Sequence, residues 1–487
     1  MKRLFLLSCW SVLLPFSAVG APLVPEPASA MTGAAAGFWG AFYPSPTPGF
    51  AGGKTPDGLS NTPSEEIEMQ PVPKDNHDEL PDDWQSAIHL AVNQHPSISS
   101  SIAVLESTTF NIEAASAGYL PALTAGITSG RQQQEKDGQI ATVGLSQMLY
   151  DFGKTGSAVD QASAKYLRQQ ATVLGQIDTI IQQTALTLNE VYRYRQLTLS
   201  ARDQVTSLRN ILNLTRLRAD AGASTRVDPV QAQARVEAAE AQQQELEIRL
   251  QQENYRLQSL LGRPIAHARI SAPGDLLPVI EGLGGRADLN KNPAIMVAQA
   301  DVALAGAELR QFKAQRYPTL SLEANTNKYI GGMANSQSRN HYQNIFLSLN
   351  STLYQGGAMV AQENAAIRAL DAAKTAVNTR KMELTDQLRS TFQSMKGLQY
   401  NIKLLKKRMK TITETRMLYR EQYLSLGNRN ALDLLNAEQE IYRAEQDLIN
   451  AERDLWASAV NYSSLSGMAR KIFNFNGSII QGLQLSQ

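Results

Sequence analysis

Residues 145–153 read LSQMLYDFG, and residues 349–357 read LNSTLYQGG. Both stretches carry Leu, then Leu-Tyr, then a closing Gly at matching positions. Other short motifs recur at the same separation of about 200 residues. They are YLPAL at 119–123 with YPTLSL at 317–322, AG at 221–222 with LG at 426–427, and LG at 261–262 with SG at 466–467. The body of the chain is therefore predicted to be two tandem copies of one structural unit.

Each copy contains the same order of predicted elements, namely a helix, a strand hairpin, a very long helix and a shorter helix. Polar, glycine-containing segments at 131–138 and 331–340 are typical of the hairpin loops. In the first copy, the predicted helices are 84–117, 157–221 and 228–261, and the best-defined strand is 139–149. In the second copy, the predicted helices are 293–316, 357–426 and 431–466, and the best-defined strand is 342–354. The fold class is therefore mainly α with a small β part.

The strands show alternating polar and apolar residues. Ile345, Leu347 and Leu349 point one way in the second copy, and Leu353 is expected to continue that face. This pattern fits a membrane barrel strand, although a strand of a soluble sandwich alternates in the same way. Four strands are too few to close a barrel, because their edges stay unpaired. Three copies of the chain supply twelve strands, which is enough for a closed barrel.

The long helices read as coiled coils. Neither 157–221 nor 357–426 contains proline, and each spans about 100 Å at 1.5 Å per residue. Their apolar positions follow a spacing of four and three residues, which is typical of a coiled-coil seam. Each shorter helix has about half that length, so we expect one long helix to pair with two short helices stacked end to end. The segments left over, 262–292 and the tail after Gly467, are expected to gather at one level.

The N-terminus is typical of a secretory signal peptide. A basic start precedes an apolar stretch at 4–16, and a cleavage motif of small residues ends at Gly20, with a second ending at Ala30. We interpret residues 1–20, or those up to Ala30, as the signal. Residues 21–81 are rich in Pro, Gly, Ala and Ser, a composition that predicts a disordered leader.

Composition excludes several classes of function. The 46 basic and 45 acidic residues nearly cancel, so we expect no nucleic-acid partner. Cys9 is the sole cysteine and lies in the predicted signal, and the five His residues share no ligand spacing. We therefore expect no disulfide, no metal site and no cofactor. No phosphate-loop or nucleophile motif is present, so we do not expect an enzyme.

The residues together resemble the TolC-type outer-membrane channel proteins. The resemblance rests on the tandem units, the YLPAL strand entry, the Gly-x5-Asp turns and DWQSAIHLAVNQHP at 83–96. It implies a first repeat at 82–290, a second at 291–467 and a C-terminal tail at 468–487. Within the family, QMLYDFGK at 147–154 and TRVDPVQAQAR at 225–235 are most similar to members that serve type I secretion.

The resemblance implies a homotrimer in the outer membrane of a Gram-negative bacterium, with a twelve-stranded barrel and a helical tunnel in the periplasm. Its implied partners are outer-membrane lipid, a periplasmic adaptor, an inner-membrane ABC transporter and a secreted protein cargo. Export of small molecules by an efflux pump is the alternative. A soluble periplasmic coiled-coil scaffold is a third hypothesis, which requires no amphipathic strands.

The resemblance places the functional residues in the two turns between long and short helices. Asp433 matches an aspartate that forms a ring narrowing the closed pore, and Asn436 stands where a second ring aspartate is usual. Arg429 and Asp228 match a pair that holds the tunnel shut. Gly222 and Gly427 mark the turns that would dock the adaptor. A tyrosine is usual three residues before the second glycine, but Leu424 occupies that position, and the adjacent Tyr423 is predicted to face about 100° away.

Simpler interpretations apply to the same charges. Asp228, followed by Pro229, is predicted to cap the next helix, and capping is an alternative for Asp433. Capping and gating are compatible. A basic run at 403–410 is typical of a solvated helix face, with adaptor or cargo contact as the alternative. The Glu-rich stretch 237–253 is interpreted as its acidic counterpart.

Overall fold

A computed structural model describes most of the chain beyond the predicted leader, and all described residues belong to the second of its two units, 65–487. The described residues are 83–130, 138–263, 278, 280, 289–331, 341–426, 429–475 and 477–484. The predicted signal peptide and leader, the tips of both strand hairpins and Gly427 lie outside them. None of the described helices is long and apolar enough to cross a membrane.

The two repeats have the same order of elements, as the sequence predicts. The helices are α1 Trp84–Gln94, α2 Pro96–Ser116, α3 Lys154–Asp220, α4 Val227–Leu261, α5 Pro293–Ala314, α6 Ala358–Glu421, α7 Ala431–Leu465 and α8 Ala469–Ile472. The strands are β1 Ala122–Gly130, β2 Gly138–Tyr150, β3 Thr319–Gly331, β4 His341–Asn350, β5 Ile479–Ile480 and β6 Leu483–Gln484.

The predicted helix 84–117 is wrong in one respect, because it is two helices. His95 is extended, with φ −72° and ψ 124°, as expected for a residue that precedes proline. Pro96 then starts α2, and the imidazole Nδ1 of His95 accepts a hydrogen bond from the Ser97 amide at 3.3 Å. The break is therefore a capped junction between α1 and α2.

The four main strands form one antiparallel sheet in the order β1-β2-β3-β4. Its two outer strands, β1 and β4, are unpaired at their free edges. The predicted face of Ile345, Leu347 and Leu349 is exposed in the single chain. Strand β4 ends at Asn350, so Leu353 lies beyond it and the predicted strand 342–354 was too long. The sheet thus presents both open edges and large apolar side chains.

Helix α3 organises the helical part of the molecule. Its first half binds α5 through salt bridges such as Arg168–Asp301 at 2.9 Å. Its second half binds α4 through Arg202–Glu247 at 2.8 Å and Arg209–Glu240 at 2.6 Å. Two short helices therefore share one long partner, as the helix lengths predict.

The C-terminal segment packs onto α1. Phe475 is fully buried, and its ring stacks on His89 with 4.1 Å between ring centroids. The imidazole Nε2 of His89 lies 2.9 Å from the Phe473 carbonyl, and burial lowers the pKa of His89. Further along, the Gln481 amide donates to the carbonyls of Val92 and His95 at 3.1 and 3.2 Å. The tail is thus part of the main hydrophobic core.

Gly467 allows the chain to turn into this segment. Its φ is +69°, and a Cβ there would lie 3.0 Å from the backbone of Asn292. The Asn292 side chain donates to the Leu465 carbonyl at 2.9 Å, and Arg470 donates to the Lys291 carbonyl at 3.3 Å. The segment before α5 and the segment after α7 therefore meet at one level.

Replacing Phe475 with Ala should lower the thermal unfolding midpoint. The substitution leaves a cavity against His89 and α1, which for a buried Phe costs about 3–5 kcal/mol. Circular dichroism of the detergent-solubilised protein measures the midpoint. Phe475→Leu keeps more of the apolar volume and should lower it less. Equal midpoints for wild type and Phe475→Ala would show that the tail does not contribute to the core.

Candidate functional site at the helix turns

The turn from α3 to α4 is a glycine-capped helix end. Gly222 has φ +71°, the left-handed conformation that favours glycine. Its amide donates to the Ala219 carbonyl at 3.1 Å, and the Ala223 amide donates to the Arg218 carbonyl at 2.8 Å. This pair of bonds is the Schellman motif, which satisfies the last carbonyls of a helix. Because nothing lies within 4 Å of a Cβ at Gly222, the conformation alone requires glycine there.

The turn from α6 to α7 is built differently. Helix α6 continues into a π-helical segment, Gln422–Leu426, and α7 starts after Asn430. Gly427, predicted to mark this turn, lies outside the described residues. We call the two turns and the helix ends around them, residues 205–239 and 419–438, the tip.

One hydrophobic cluster holds the tip together and draws on both hairpins. Its buried members are Val205, Leu208, Ile211 and Leu212 of α3, Ala232, Val236 and Ala239 of α4, Tyr423 of the π-helical segment, and Ala431, Leu434 and Leu435 of α7. The small residues of α4 allow close approach of the helices. Side chains of the two turns are therefore fixed relative to each other.

A cation–π contact joins the hairpins at the tip. The Arg218 guanidinium lies 4.5 Å from the centroid of the Tyr423 ring, and its Nη1 donates to the Tyr423 carbonyl. Tyr423 is only 2% exposed. Burial raises the pKa of Tyr423, Arg218 opposes this shift and the nearby Asp228 carboxylate adds to it. The structure thus brings Arg218, Tyr423 and Asp228 together.

The orientation of Tyr423 depends on the type of helix that carries it. The sequence analysis assumed an α-helix, in which Tyr423 faces about 100° away from position 424. The segment is π-helical, which adds a residue to the turn and changes the direction of the side chains. The ring therefore faces α3.

The neighbours of Arg429 all belong to its own hairpin. Its Nη1 lies 3.4 Å from Oδ2 of Asp433, its Nε donates to Gln422 at 3.0 Å, and its guanidinium lies 4.5 Å from the Tyr419 ring centroid. The pair of Arg429 with Asp228 stays a prediction.

Neither aspartate acts as a helix cap. Helix α4 starts at Val227, one residue before Asp228, and α7 starts two residues before Asp433. No side-chain cap hydrogen bond is present at either helix start, so the predicted capping role of Asp228 is wrong. Both carboxylates instead occupy the first helical turn, where the helix dipole stabilises negative charge. Asn436 is exposed, and Asp228 and Asp433 are partly exposed.

A buried carboxyl lies at the last position of the tip. Glu438 is 9% exposed on α7, and its Oε1 lies 3.5 Å from Nη1 of Arg416 on α6. Burial raises the pKa of Glu438, and Arg416 partly offsets the shift. This charge therefore destabilises the packing of α6 on α7 at neutral pH relative to a neutral side chain.

Sequence reasoning missed Arg218. A signal was available, because Arg218 and Tyr423 each lie four residues before the glycine of their own turn, Gly222 and Gly427. Equivalent positions of the two repeats therefore face each other. Nothing in the sequence identified Glu438, whose burial depends on how α6 and α7 pack.

Replacing Glu438 with Gln should stabilise the protein most at neutral pH. Because the folded-state pKa of Glu438 is raised, wild type loses stability as pH rises from the unfolded pKa, about 4.3, through the folded value. The variant lacks this loss. The difference in unfolding midpoint between variant and wild type, measured from pH 4 to pH 8, should therefore grow with pH. A pH-independent difference would contradict the buried charge.

Comparison with known proteins agrees with this architecture. The sequence matches the model of the outer membrane efflux protein family over residues 87–263 and 286–467. The alkaline protease secretion protein AprF of Pseudomonas aeruginosa is 24% identical over 387 residues, which cover 73% of this chain and 78% of AprF. The outer membrane efflux protein BepC of Brucella suis is 20% identical over 342 residues, which cover 68% of this chain and 73% of BepC.

The fold is also found in solved structures. The outer membrane protein VceC of Vibrio cholerae superposes with a TM-score of 0.69 at 18% identity, over 79% of this chain and 96% of VceC. The family match spans both repeats and includes the tip. The chain therefore belongs to the outer membrane efflux protein family, and it is a channel protein of the Gram-negative outer membrane whose long helices lie in the periplasm.

Proposed function

We propose that this chain is the outer-membrane channel of a tripartite type I protein secretion system and that it works as a homotrimer. The observation that carries the proposal is the four-stranded sheet with two open edges and exposed apolar side chains. Ile345 and Leu347 are 78% and 61% exposed, which suits contact with lipid. Three sheets joined edge to edge give twelve strands and remove the free edges.

The cargo is proposed to be protein. AprF is named for the secretion of an alkaline protease, and the motifs at 147–154 and 225–235 resemble those of type I secretion members. The partners are then a periplasmic adaptor, an inner-membrane ABC transporter and the secreted protein. Small-molecule efflux is the second candidate, and the name of BepC favours it. The exposed apolar side chains of the sheet disfavour the hypothesis of a soluble scaffold.

The tip is proposed to be the gate and the docking end. In a trimer, Asp433 and Asp228 recur three times near one axis, and crowded carboxylates attract cations and repel anions. Asn436 contributes no charge, so the ring at Asp433 is single. Arg429 neutralises part of this charge from its own turn, and the turns at Gly222 and Gly427 face the adaptor.

Deleting the gene should remove one or a few large proteins from the culture medium. Mass spectrometry of the medium measures this loss, and the gene supplied in trans should restore release. Sensitivity to dyes, detergents and antibiotics should change little. An unchanged set of released proteins combined with increased drug sensitivity would overturn the secretion proposal in favour of efflux.

Replacing Arg218 with Ala should raise the single-channel conductance in planar bilayers. The change removes the contact between the two hairpins at Tyr423, so the tip should open more readily. Tyr423→Phe is the matched control, because it keeps the ring and the backbone carbonyl, and the Tyr423 hydroxyl has no hydrogen-bond partner among the described residues. Equal conductance of wild type and Arg218→Ala would exclude this contact from the gate.

A further inference from the structure

The face of the sheet that carries Ile345 and Leu347 changes character along the strands. Residues directly opposite each other in neighbouring strands point to the same side of a sheet. From the helix end to the hairpin tip, the pairs of β3 and β4 on this face are Leu320–Leu349, Leu322–Leu347, Ala324–Ile345, Thr326–Gln343 and Lys328–His341. The face is therefore apolar near the helices and polar toward the tip, where it holds a lysine and a histidine.

Charged residues are rare on these strands. The sequences of β1, β2 and β4 contain no Asp, Glu, Lys or Arg, and β3 contains Glu323 and Lys328. Successive residues of a strand point to opposite faces, so Lys328 shares the face of Ile345 and Glu323 lies on the other face. Among the described strand residues, no acidic side chain shares the face of Lys328.

Both members of the pair nearest the tip are accessible to a ligand. Lys328 and His341 are exposed, and neither forms a hydrogen bond or an ion pair with another residue that the structure describes. Directly opposite side chains have Cβ atoms about 4.5–5.5 Å apart, so the ammonium group and an imidazole N–H can reach one anion. On its other flank, Lys328 lies opposite Ala141 of β2, whose small side chain leaves room for the anion.

Aromatic residues at the helix end of the sheet give the depth of this pair in the membrane. Tyr150 lies opposite Leu320 and contacts Phe152, which stacks on Tyr317. Such aromatic side chains mark the membrane interfaces of barrels. From Leu320 to Lys328, β3 extends about 26 Å, or about 20 Å along the membrane normal at the usual strand tilt. Because the apolar band of a barrel is about 25 Å tall, Lys328 lies near its opposite boundary.

This opposite boundary is the outer leaflet. Helix α3 follows β2 and α6 follows β4, and the long helices lie in the periplasm, so the hairpin tips point away from it. A lysine at this depth extends its charged group to the lipid headgroups. The outer leaflet of the Gram-negative outer membrane consists of a glycolipid with phosphate groups on its sugars, and ammonium groups bind phosphate.

We propose that Lys328 and His341 bind a headgroup phosphate of the outer-leaflet glycolipid. The inference rests on the proposed contact of the sheet with lipid and adds a specific lipid-binding site to it. The ammonium group of Lys328 supplies the positive charge, and the imidazole of His341 donates a hydrogen bond to a phosphate oxygen. The acyl chains of the same lipid lie along the apolar pairs between Ala324 and Leu349.

Native mass spectrometry of the protein in mild detergent tests the site, with purified lipopolysaccharide as the probe. Lys328→Gln should weaken binding about tenfold, because it removes a charge-assisted hydrogen bond. Lys328→Arg keeps the charge and should bind nearly as well as wild type. Glu323→Gln is the matched control, since it removes a charge from the same strand on the other face, and it should leave the affinity unchanged.

Three results would contradict the proposed pair. Equal affinity of wild type and Lys328→Gln would overturn the site, and so would equal losses in Lys328→Gln and Lys328→Arg, because charge would then not matter. His341→Ala should weaken binding less than Lys328→Gln does. An unchanged affinity of His341→Ala would remove the histidine from the site.

Further probes identify the source of the phosphate. Lipopolysaccharide from which the phosphates have been removed should bind wild type as weakly as the intact lipid binds Lys328→Gln. Neither inorganic phosphate nor phosphatidylglycerol at the same concentration should displace the intact lipid. Displacement by inorganic phosphate would identify a site for the free anion, and displacement by phosphatidylglycerol would identify a site for any anionic lipid. Either result would overturn the assignment to the glycolipid.

Cysteine labelling separates failure of this site from failure of the channel proposal. In a Cys9→Ser background, Ile345→Cys in outer membranes should resist a water-soluble maleimide, because lipid covers this position. Protection from labelling, combined with unchanged lipopolysaccharide binding by Lys328→Gln, would overturn the site and leave the channel proposal intact. Rapid labelling would overturn the proposed contact of the sheet with lipid.

Discussion

The length of α3 is the constraint on which the rest of the structure depends. A helix of 67 residues gains most of its stability by burying a stripe along its whole length. It buries Ile181 and Leu188 in the core near α1 and Leu212 in the cluster at the tip. No short helix reaches both ends, so α2 and α5 cover one half while α4 and α7 cover the other. The positions of the turns and breaks follow from this division.

The middle of α3 and its end at the tip are stabilised differently. Near α1, Phe475 and the C-terminal segment join a large apolar core. At the tip, the hairpins meet through a smaller cluster. The partly buried contact of Arg218 with Tyr423 has modest strength, roughly 0.5–2 kcal/mol. Local opening is easiest where few buried contacts must be lost. The tip is therefore the part of the helical body best suited to move while the remainder stays assembled.

Much of the architecture could be predicted because it depends on periodicity and duplication. The long helices, the strand pairs and the pairing of one long with two short helices all follow from spacing that is visible in one sequence. The break at His95 could also be predicted, since the residue before a proline disfavours the helical conformation. The end of β4 before Leu353 could not be predicted, because the alternation of polar and apolar residues continues beyond the last paired residue.

The candidate site was predicted less completely. The turns and the carboxylates at their helix starts were located correctly in the chain, since Gly222 and the Gly-x5-Asp spacing mark them. The neighbours of Arg429 within its own hairpin were not predicted, because only the packing shows that Asp433 and Tyr419 lie nearby. Glu438 owes its burial to the packing of α6 on α7, which no local pattern in the sequence encodes. Arg218 contacts a residue about 200 positions away, and only the equal distance of Arg218 and Tyr423 from their turn glycines pointed to it.

The π-helical segment at Gln422–Leu426 has a consequence for how the two repeats diverged. Counting from Gly153 and Gly357, the second repeat has one residue more than the first by the time its turn glycine, Gly427, is reached. A π turn is the way in which a helix accommodates a single inserted residue. The insertion is confined to one turn of helix. The part of α6 before it and the start of α7 after it therefore keep the same register as the equivalent helices of the first repeat. The fold thus tolerates a change in length that would otherwise rotate an entire buried seam.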